Sequence, residues 1–297
     1  MHVLRFPRRT LAAAGWLLLL TVKLQAQPQP GAAAYVTLAD LPYHSEAVLA
    51  QADDYQRSQC RLDLYLPTNR PGFATVVWFH GGGFTQGKRN LPAALMQRGV
   101  AVAAVSYRLA PPGKFPCFLE DGAAATAWVL RTIASHGGDP GKVFVSGHSA
   151  GGYLAMMLGL DARWLDAQGA SARQLAGIVA LSAQMSSHFH VRKLRGDTTP
   201  GLRPVIDDYA PLHHASAELP PICLVVGDRA LDYPSRVEEN AFMAVTLRNL
   251  GHKQVVYHEM GGLDHGGTNE GGWLVARGFV AAVAAGRPVG EAAVPPR

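Results

Sequence analysis

The sequence predicts an α/β fold in which a mostly parallel central sheet is flanked by helices. Short apolar segments alternate with longer amphipathic ones along the 297-residue chain, which is the pattern of a sheet with helical crossovers. Several apolar segments are continuous runs without polar alternation, as expected of strands covered on both faces. Glycine-rich and polar clusters follow some of them directly, where a parallel sheet places its functional groups.

Each strand candidate is a short run rich in Val, Ala, Ile or Leu, bounded by turn residues. In chain order these are 61–66, 74–79, 100–106, 142–146, 177–181, 222–226 and 254–258. The helix candidates between them are 91–98, 120–135, 149–158, 235–250 and 272–285. There is no repeat and no internal linker, so one large domain over 56–297, preceded by a lead-in over 27–55, is the predicted organisation.

The charge of the chain is concentrated at its beginning. Lys and Arg total 27 against 22 Asp and Glu, but four of the basic residues lie in the first 26 positions, which contain no acidic residue. The remainder is nearly neutral, whereas nucleic-acid binding requires clustered Lys and Arg. We therefore expect no nucleic-acid partner.

An apolar run over 11–22 follows Arg8 and Arg9 and ends near Ala26. A charged segment, a short apolar run and a small residue in this order predict a signal peptide over 1–26, and hence a periplasmic or secreted protein without stable membrane insertion. The paired arginines also fit a twin-arginine signal. A retained N-terminal anchor is the alternative, because Leu24 occupies a position where the cleavage site prefers a small residue.

The three cysteines, Cys60, Cys117 and Cys223, are too far apart for a C-x-x-C metal or redox motif. In an oxidising compartment, one disulfide and one free thiol is a possible state, but the sequence does not select the pair.

The segment 143–152 is expected to form strand, tight turn and helix around a G-x-S-x-G motif centred on Ser149. A serine on such a turn has its hydroxyl exposed above the sheet, and the glycines at both ends leave room for neighbouring backbone. The motif predicts a nucleophile at Ser149; an ordinary serine N-cap is the simpler alternative.

A second motif, His80-Gly81-Gly82-Gly83, directly follows a strand candidate. Backbone amides of such a loop can bind a developing oxyanion together with the amide after the nucleophile. We assign this role to Gly82, Gly83 and Ala150, and expect His80 to brace the loop. A flexible turn is the alternative, and no phosphate-binding motif is satisfied, since Gly87-Lys88 is followed by Arg89.

A nucleophilic serine needs a base and an acid that orients the base. His265 lies in a glycine-rich loop after the last strand candidate and is the predicted base. The acid should follow the strand candidate 222–226, which precedes the last strand in sequence. Two candidates lie there: Asp232, which is favoured, and Asp228.

Other polar and aromatic residues are expected to line the site. Phe84, Tyr107 and His148 are the predicted substrate-binding residues, and His188, Phe189, His190 and the pair His213-His214 are interpreted as lining. Histidine pairs in separate loops do not make a zinc site, which needs three or four converging ligands. We expect no metal and no cofactor.

The order Ser149, Asp232, His265, with H-G-G-G upstream, resembles the α/β-hydrolase superfamily, specifically the H-G-G-G esterase/lipase branch and its bacterial feruloyl/acetyl-xylan-esterase-like carboxylesterases. The resemblance covers about 61–280 and includes Leu62-Asp63-Leu64-Tyr65-Leu66-Pro67 and Ser106-Tyr107-Arg108-Leu109-Ala110-Pro111. It implies cofactor-free hydrolysis of small-molecule carboxylic esters, short-chain or aromatic, through an acyl-enzyme, with a small cap over 185–221. The sequence around Asp232 departs from the family's Asp-Pro-Leu pattern.

Three alternatives are kept. A kynurenine-formamidase-like enzyme would cleave an N-formyl amide with the same residues, although export argues against it. A serine exopeptidase would need a gating domain that the chain lacks, and a non-catalytic binding protein on this fold would usually have lost the serine or the histidine. The oligomeric state cannot be predicted.

Overall fold

A computed structural model describes residues 34–290 of the chain. The predicted signal peptide over 1–26 lies outside the described residues, as does the first part of the lead-in. The described residues fall within a single compact unit that begins at Ala33. Between 34 and 290, no helix combines the length and apolar character needed to span a membrane.

The centre of the fold is an eight-stranded sheet in the order β1-β2-β4-β3-β5-β6-β7-β8. Its strands are β1 (Tyr35–Pro42), β2 (Arg61–Pro67), β3 (Phe73–Phe79), β4 (Ala101–Val105), β5 (Gly138–His148), β6 (Gly177–Leu181), β7 (Ile222–Val226) and β8 (Val255–Glu259). β3, β4, β5, β6, β7 and β8 are mutually parallel. At one edge of the sheet, β2 pairs antiparallel with β4 and β1 pairs antiparallel with β2. This arrangement confirms the predicted fold class.

Nine helices accompany the sheet in the described range. They are α1 (Glu46–Gln51), α2 (Asp54–Gln59), α3 (Cys117–Thr132), α4 (Ala150–Leu160), α5 (Ala162–Asp166), α6 (Phe189–Leu194), α7 (Arg236–Asn249), α8 (Thr268–Gly271) and α9 (Trp273–Ala284). The residues between β6 and β7, where a small cap is predicted, contain only α6 and a 3₁₀ turn over Pro211–His214.

Both faces of the sheet are covered, which explains the continuous apolar strands. In β3, Val77 and Phe79 pack into the cluster on the side of α3 and α4. Their neighbours Val76 and Trp78 pack into the other cluster, where Trp78 contacts Trp273 of α9. Because alternate side chains point to opposite faces, a strand covered twice carries no polar alternation.

The structure corrects one predicted helix and shows the state of the three cysteines. The helix expected over 91–98 is only a 3₁₀ turn, Ala93–Leu95, which follows Pro92 and is capped by the carboxylate of Glu270. The sequence left the disulfide state of the cysteines open, and in the structure all three are buried free thiols.

The carboxyl ends of β3, β5, β6, β7 and β8 meet at one edge of the sheet because these strands are parallel. The loops that follow them therefore converge, and the candidate site lies there.

Candidate active site

Ser149 occupies a strained turn between β5 and α4. Its φ of 55° and ψ of −118° are unusual for a residue with a side chain. The flanking glycines make the turn possible: a Cβ on Gly147 would lie 2.3 Å from the backbone of Gly151, and one on Gly151 would lie 2.1 Å from the carbonyl oxygen of Phe79. The glycines thus leave room for neighbouring backbone, as the motif suggests.

The structure brings Ser149, His265 and Asp232 together in one hydrogen-bonded chain. Nε2 of His265 lies 2.9 Å from Oγ of Ser149, and Nδ1 lies 2.7 Å from Oδ1 of Asp232. Both distances are within ordinary hydrogen-bond range. The imidazole can therefore accept the serine proton on one nitrogen while its other N–H donates to the carboxylate.

Asp232 is held ionised by its surroundings. Burial alone would raise the pKa of its carboxyl group, but hydrogen bonds from His265, Ser182 and the amides of Gly227 and Tyr233 outweigh burial and lower the pKa to about 2. A carboxylate that stays ionised is suited to orient an imidazole and to stabilise an imidazolium.

Asp228, the other candidate acid, faces away from the base. Its Oδ1 accepts from the amide of Ala230 and its Oδ2 from the amide of Gly262, each at 2.8 Å. These bonds fix the turn after β7 and join it to the loop that carries the histidine. The geometry thus separates the two aspartates: Asp232 contacts His265 and Asp228 caps a loop.

Ser182, at the carboxyl end of β6, is a contact that the motif analysis missed. Its Oγ lies 2.7 and 2.9 Å from the two carboxylate oxygens of Asp232 and 2.8 Å from Nδ1 of His265. Its backbone has a positive φ of 45°. The position of Ser182 directly after a parallel strand is the feature of the sequence that indicates it.

The loop of His265 is fixed by two further hydrogen bonds. Nε2 of His148 and Oγ1 of Thr268 each donate to the carbonyl oxygen of His265 at 2.7 Å. Burial lowers the pKa of His148 to about 4, and the charge of the neighbouring His265 contributes a smaller part of this shift. The imidazole of His148 is therefore neutral at physiological pH. His148, one of the predicted substrate-binding residues, lines the cavity.

The glycine loop after β3 faces the same cavity. Gly82 and Gly83 have φ values of 111° and 62°, and within the described part of the chain neither amide donates a hydrogen bond. Ala150 begins α4, so its amide also lacks an acceptor inside the helix. His190 of α6 donates from Nδ1 to the carbonyl oxygen of Gly83 and ties the loop to the 185–221 insertion.

The cavity in front of Ser149 has a volume of about 350 Å³. Besides the serine and His265, it is lined by the glycine loop and by side chains of the insertion and of the loop leading into α7; these residues are Gly82, Gly83, Thr85, Gln86, His148, His188, Phe189, His190, Tyr233 and Arg236. The interpretation of 188–190 as lining matches this placement. Tyr233 and Arg236 were not singled out from the sequence.

Four expected lining residues lie elsewhere. Phe84 is fully buried and stacks on Phe118, and Tyr107 is fully buried with its hydroxyl donating to the carbonyl oxygen of His80. Both belong to the core behind the glycine loop, because Phe84 follows the glycines with a positive φ that turns the chain inward. His213 and His214 face Asp208 and Asp161 away from the cavity.

His80 supports the glycine loop from below. Its ring stacks on Tyr107 with centroids 4.5 Å apart, and its Nδ1 donates to the carbonyl oxygen of Gly81 at 2.7 Å. Burial lowers its pKa, so the ring is neutral. These contacts fit the bracing role expected from the sequence.

Among the described residues, one group offers three ligand types that metals use: His44, Cys60 and Asp121, with ligand atoms within 4.8 Å of one another. The guanidinium of Arg108 donates to both oxygens of the buried Asp121, at 2.7 and 2.9 Å. Burial also raises the pKa of Cys60, which keeps the thiol protonated. A fixed cation and a protonated thiol both disfavour a metal, so we assign the group to a structural ion pair.

Comparison with known proteins gives consistent results. A family model described as alpha/beta hydrolase fold matches residues 76–268. A probable isoprenylcysteine alpha-carbonyl methylesterase of Arabidopsis thaliana is 30% identical over 227 residues, which cover 67% of this chain and 47% of that protein. The matched stretches span about half, or less, of the length of the first curated relatives.

Solved structures with the same fold are also esterases by name. A truncated carbohydrate esterase from gut microbiota superposes with a TM-score of 0.67 at 14% identity, covering 87% of this chain and 99% of that one. A hyperthermophilic esterase from the archaeon Pyrobaculum calidifontis gives a TM-score of 0.59 at 25% identity, covering 76% and 79%. The first of these likenesses concerns the fold alone.

Proposed function

Since the chain belongs to the alpha/beta hydrolase fold family, we propose that it is a serine hydrolase that cleaves small-molecule carboxylic esters through an acyl-enzyme. The observation that carries this proposal is the hydrogen-bonded chain from Asp232 through His265 to Ser149, with the serine on a strained turn beside an open cavity. The esterase names among its relatives support the same reaction class.

In the proposed acylation step, Oγ of Ser149 attacks the ester carbonyl carbon while Nε2 of His265 takes the hydroxyl proton. The tetrahedral intermediate collapses when the same proton is given to the leaving alcohol. Asp232 keeps the imidazole in the tautomer that leaves Nε2 free and stabilises the imidazolium. Water then attacks the acyl-enzyme by the same route and releases the acid.

The amides of Gly82, Gly83 and Ala150 are proposed to bind the oxyanion of both tetrahedral intermediates. Their lack of internal acceptors supports this role, because preorganised donors stabilise developing charge without reorganisation. Loss of one such donor lowers turnover about 10²–10³-fold in comparable enzymes. Since all of these steps use protein groups and water, the reaction needs no cofactor.

The size of the cavity favours short acyl groups. A volume of about 350 Å³ is at the lower end of the range for small-molecule sites. Aromatic acyl groups, as in the feruloyl and acetyl-xylan esterase subgroup, are part of the proposal.

Export through the N-terminal segment is also proposed, and it would be tested by fractionating cells that express the full chain.

The test is hydrolysis of p-nitrophenyl esters from acetate to laurate, and of methyl ferulate, by the purified protein and its Ser149→Ala variant. We expect the wild type to cleave short esters and the variant to be inactive. If no ester is cleaved but N-formylkynurenine is consumed, the formamidase alternative replaces the proposal. If no substrate is consumed, the non-catalytic binding protein replaces the proposal.

A further inference from the structure

Arg236, the first residue of α7, is a buried cation at the wall of the catalytic cavity. It is 2% exposed, and it is among the residues that line the cavity with Ser149 and His265. Its buried Nε–H has no hydrogen-bond acceptor among the described residues, and in the same range no carboxylate lies within ion-pair distance of the guanidinium. A buried arginine is usually paired, since burying an unpaired charge is costly.

The acidic groups near Arg236 are already engaged by other donors. Oε2 of Glu239 accepts from the amides of Met185 and Ser186 at 2.7 and 2.8 Å, and Oε1 accepts from the hydroxyl of Ser186. Asp232 is saturated by the four donors described above. These two carboxylates act on the arginine only at longer range, so they offset its charge without occupying its N–H groups.

The other groups that face Arg236 are two neutral imidazoles and an aromatic ring. Tyr233 lies under the guanidinium, with its ring centroid 5.3 Å from Cζ. Burial and the nearby arginine keep the pKa values of His148 and His188 well below their usual range, so both rings are uncharged. In His188, Nδ1 accepts from the amide of His190, which leaves the ring proton on Nε2.

We propose that Arg236 is a specificity residue, and that the ester which this protein hydrolyses carries a carboxylate close to the scissile bond. This inference rests on the serine-esterase function proposed above and adds the substrate class. The planar guanidinium fork matches a carboxylate, and the unmatched N–H groups of Arg236 are satisfied when that carboxylate enters the cavity.

The carboxylate belongs either to the acyl group or to the leaving alcohol, and two pairs of esters distinguish these positions. Monomethyl glutarate is compared with its neutral isostere methyl 4-carbamoylbutanoate, and 4-acetoxybenzoate with 4-acetoxybenzamide. The quantity measured is the ratio of kcat/KM for the anionic ester to that for the amide isostere. A charge-assisted hydrogen-bond pair predicts a ratio of about 10 to 100 in at least one pair of esters.

Three variants separate recognition from structural effects. Arg236→Gln should reduce the ratio to about 1, and Arg236→Lys should retain part of the preference because it keeps the charge but not the fork. Arg131→Gln, at an exposed arginine of α3, is the matched control for net charge and should leave the ratio unchanged.

The inference is overturned if the wild type shows a ratio near 1 in both pairs, if Arg236→Gln keeps the wild-type ratio, or if it lowers both members of a pair equally. Calorimetric binding of glutarate to the Ser149→Ala protein, with and without Arg236→Lys, provides a readout that needs no turnover. If the wild type cleaves no ester but Arg236→Lys weakens glutarate binding, the anion site is supported while the esterase proposal fails. Absence of binding refutes the site itself.

Discussion

Ser182→Ala is expected to slow the enzyme although Ser182 does not contact the substrate cavity. The hydroxyl of Ser182 bridges both oxygens of Asp232, at 2.7 and 2.9 Å, and lies 2.8 Å from Nδ1 of His265. Removing the hydroxyl leaves the carboxylate of Asp232 with fewer hydrogen-bond donors. Nδ1 of His265 then has one partner, Asp232, instead of two. Ser182 is thus a positioning residue that acts through Asp232.

The magnitude follows from the type of bond that is lost. A hydrogen bond to a charged group contributes about 1.5–3 kcal/mol, and the pKa of Asp232, now about 2, should rise towards its ordinary value. If about half or more of that energy supports the imidazolium in the transition state, kcat falls roughly 10-fold. KM should change little, because the bond is not made to substrate.

The assay is steady-state hydrolysis of p-nitrophenyl acetate, with chemical unfolding measured in parallel. Ser146→Ala is the matched control, since Ser146 is a fully buried serine of β5 whose hydroxyl has no partner in the described range. Ser182→Gly should lose as much activity as Ser182→Ala. The glycine variant should be about 1 kcal/mol more stable than the alanine variant, because glycine adopts the positive φ of this position without strain. A kcat for Ser182→Ala within twofold of the wild type would refute the reasoning.

Three further predictions follow from the site. Asp232→Asn should lower kcat about 10⁴-fold, as the same change does in a protease triad, whereas Asp228→Asn should retain most activity; equal losses in p-nitrophenyl acetate assays would contradict the assignment of the acid. The folded pKa of Asp232, about 2, lies below its ordinary value of 3.8, so its contribution of about 2 kcal/mol is complete above pH 4 and is lost as the pH falls towards 2. Urea unfolding of wild type and Asp232→Asn at stepped pH should show this gap closing on acidification, and a gap independent of pH would argue against it. Gly151→Ala should destabilise the fold by about 1–3 kcal/mol through backbone overlap, whereas Gly278→Ala, at an open position of α9, should raise the stability by about 0.5–1 kcal/mol; thermal melts that rank the two variants the other way would be inconsistent with the close backbone approach at Gly151.

The nucleophile turn was predictable because its geometry is local. Strand, serine and flanking glycines are consecutive in sequence, and the need for small residues at Gly147 and Gly151 arises from the turn itself. The alternation of apolar strands and helices likewise identified seven of the eight strands. β1 was missed, since its half-exposed edge position gives no continuous apolar run.

Contacts between distant segments were not predictable from spacing. Asp228 and Asp232 both follow β7, and only the folded loop shows which of them meets His265. The inward turn of Phe84 depends on its positive φ, which cannot be predicted from an apolar residue type. Arg236 lies on a predicted helix, where a charged residue normally faces solvent, so its burial beside the catalytic cavity could not be predicted from the pattern.

The most direct test of the account is covalent trapping of the nucleophile. The purified protein is treated with a fluorophosphonate, and the adduct is located by peptide mass spectrometry. We predict one label per chain, on Ser149, with parallel loss of ester hydrolysis and no labelling of Ser149→Ala. Labelling at another residue, or ester hydrolysis that persists in Ser149→Ala, would contradict the serine-hydrolase mechanism.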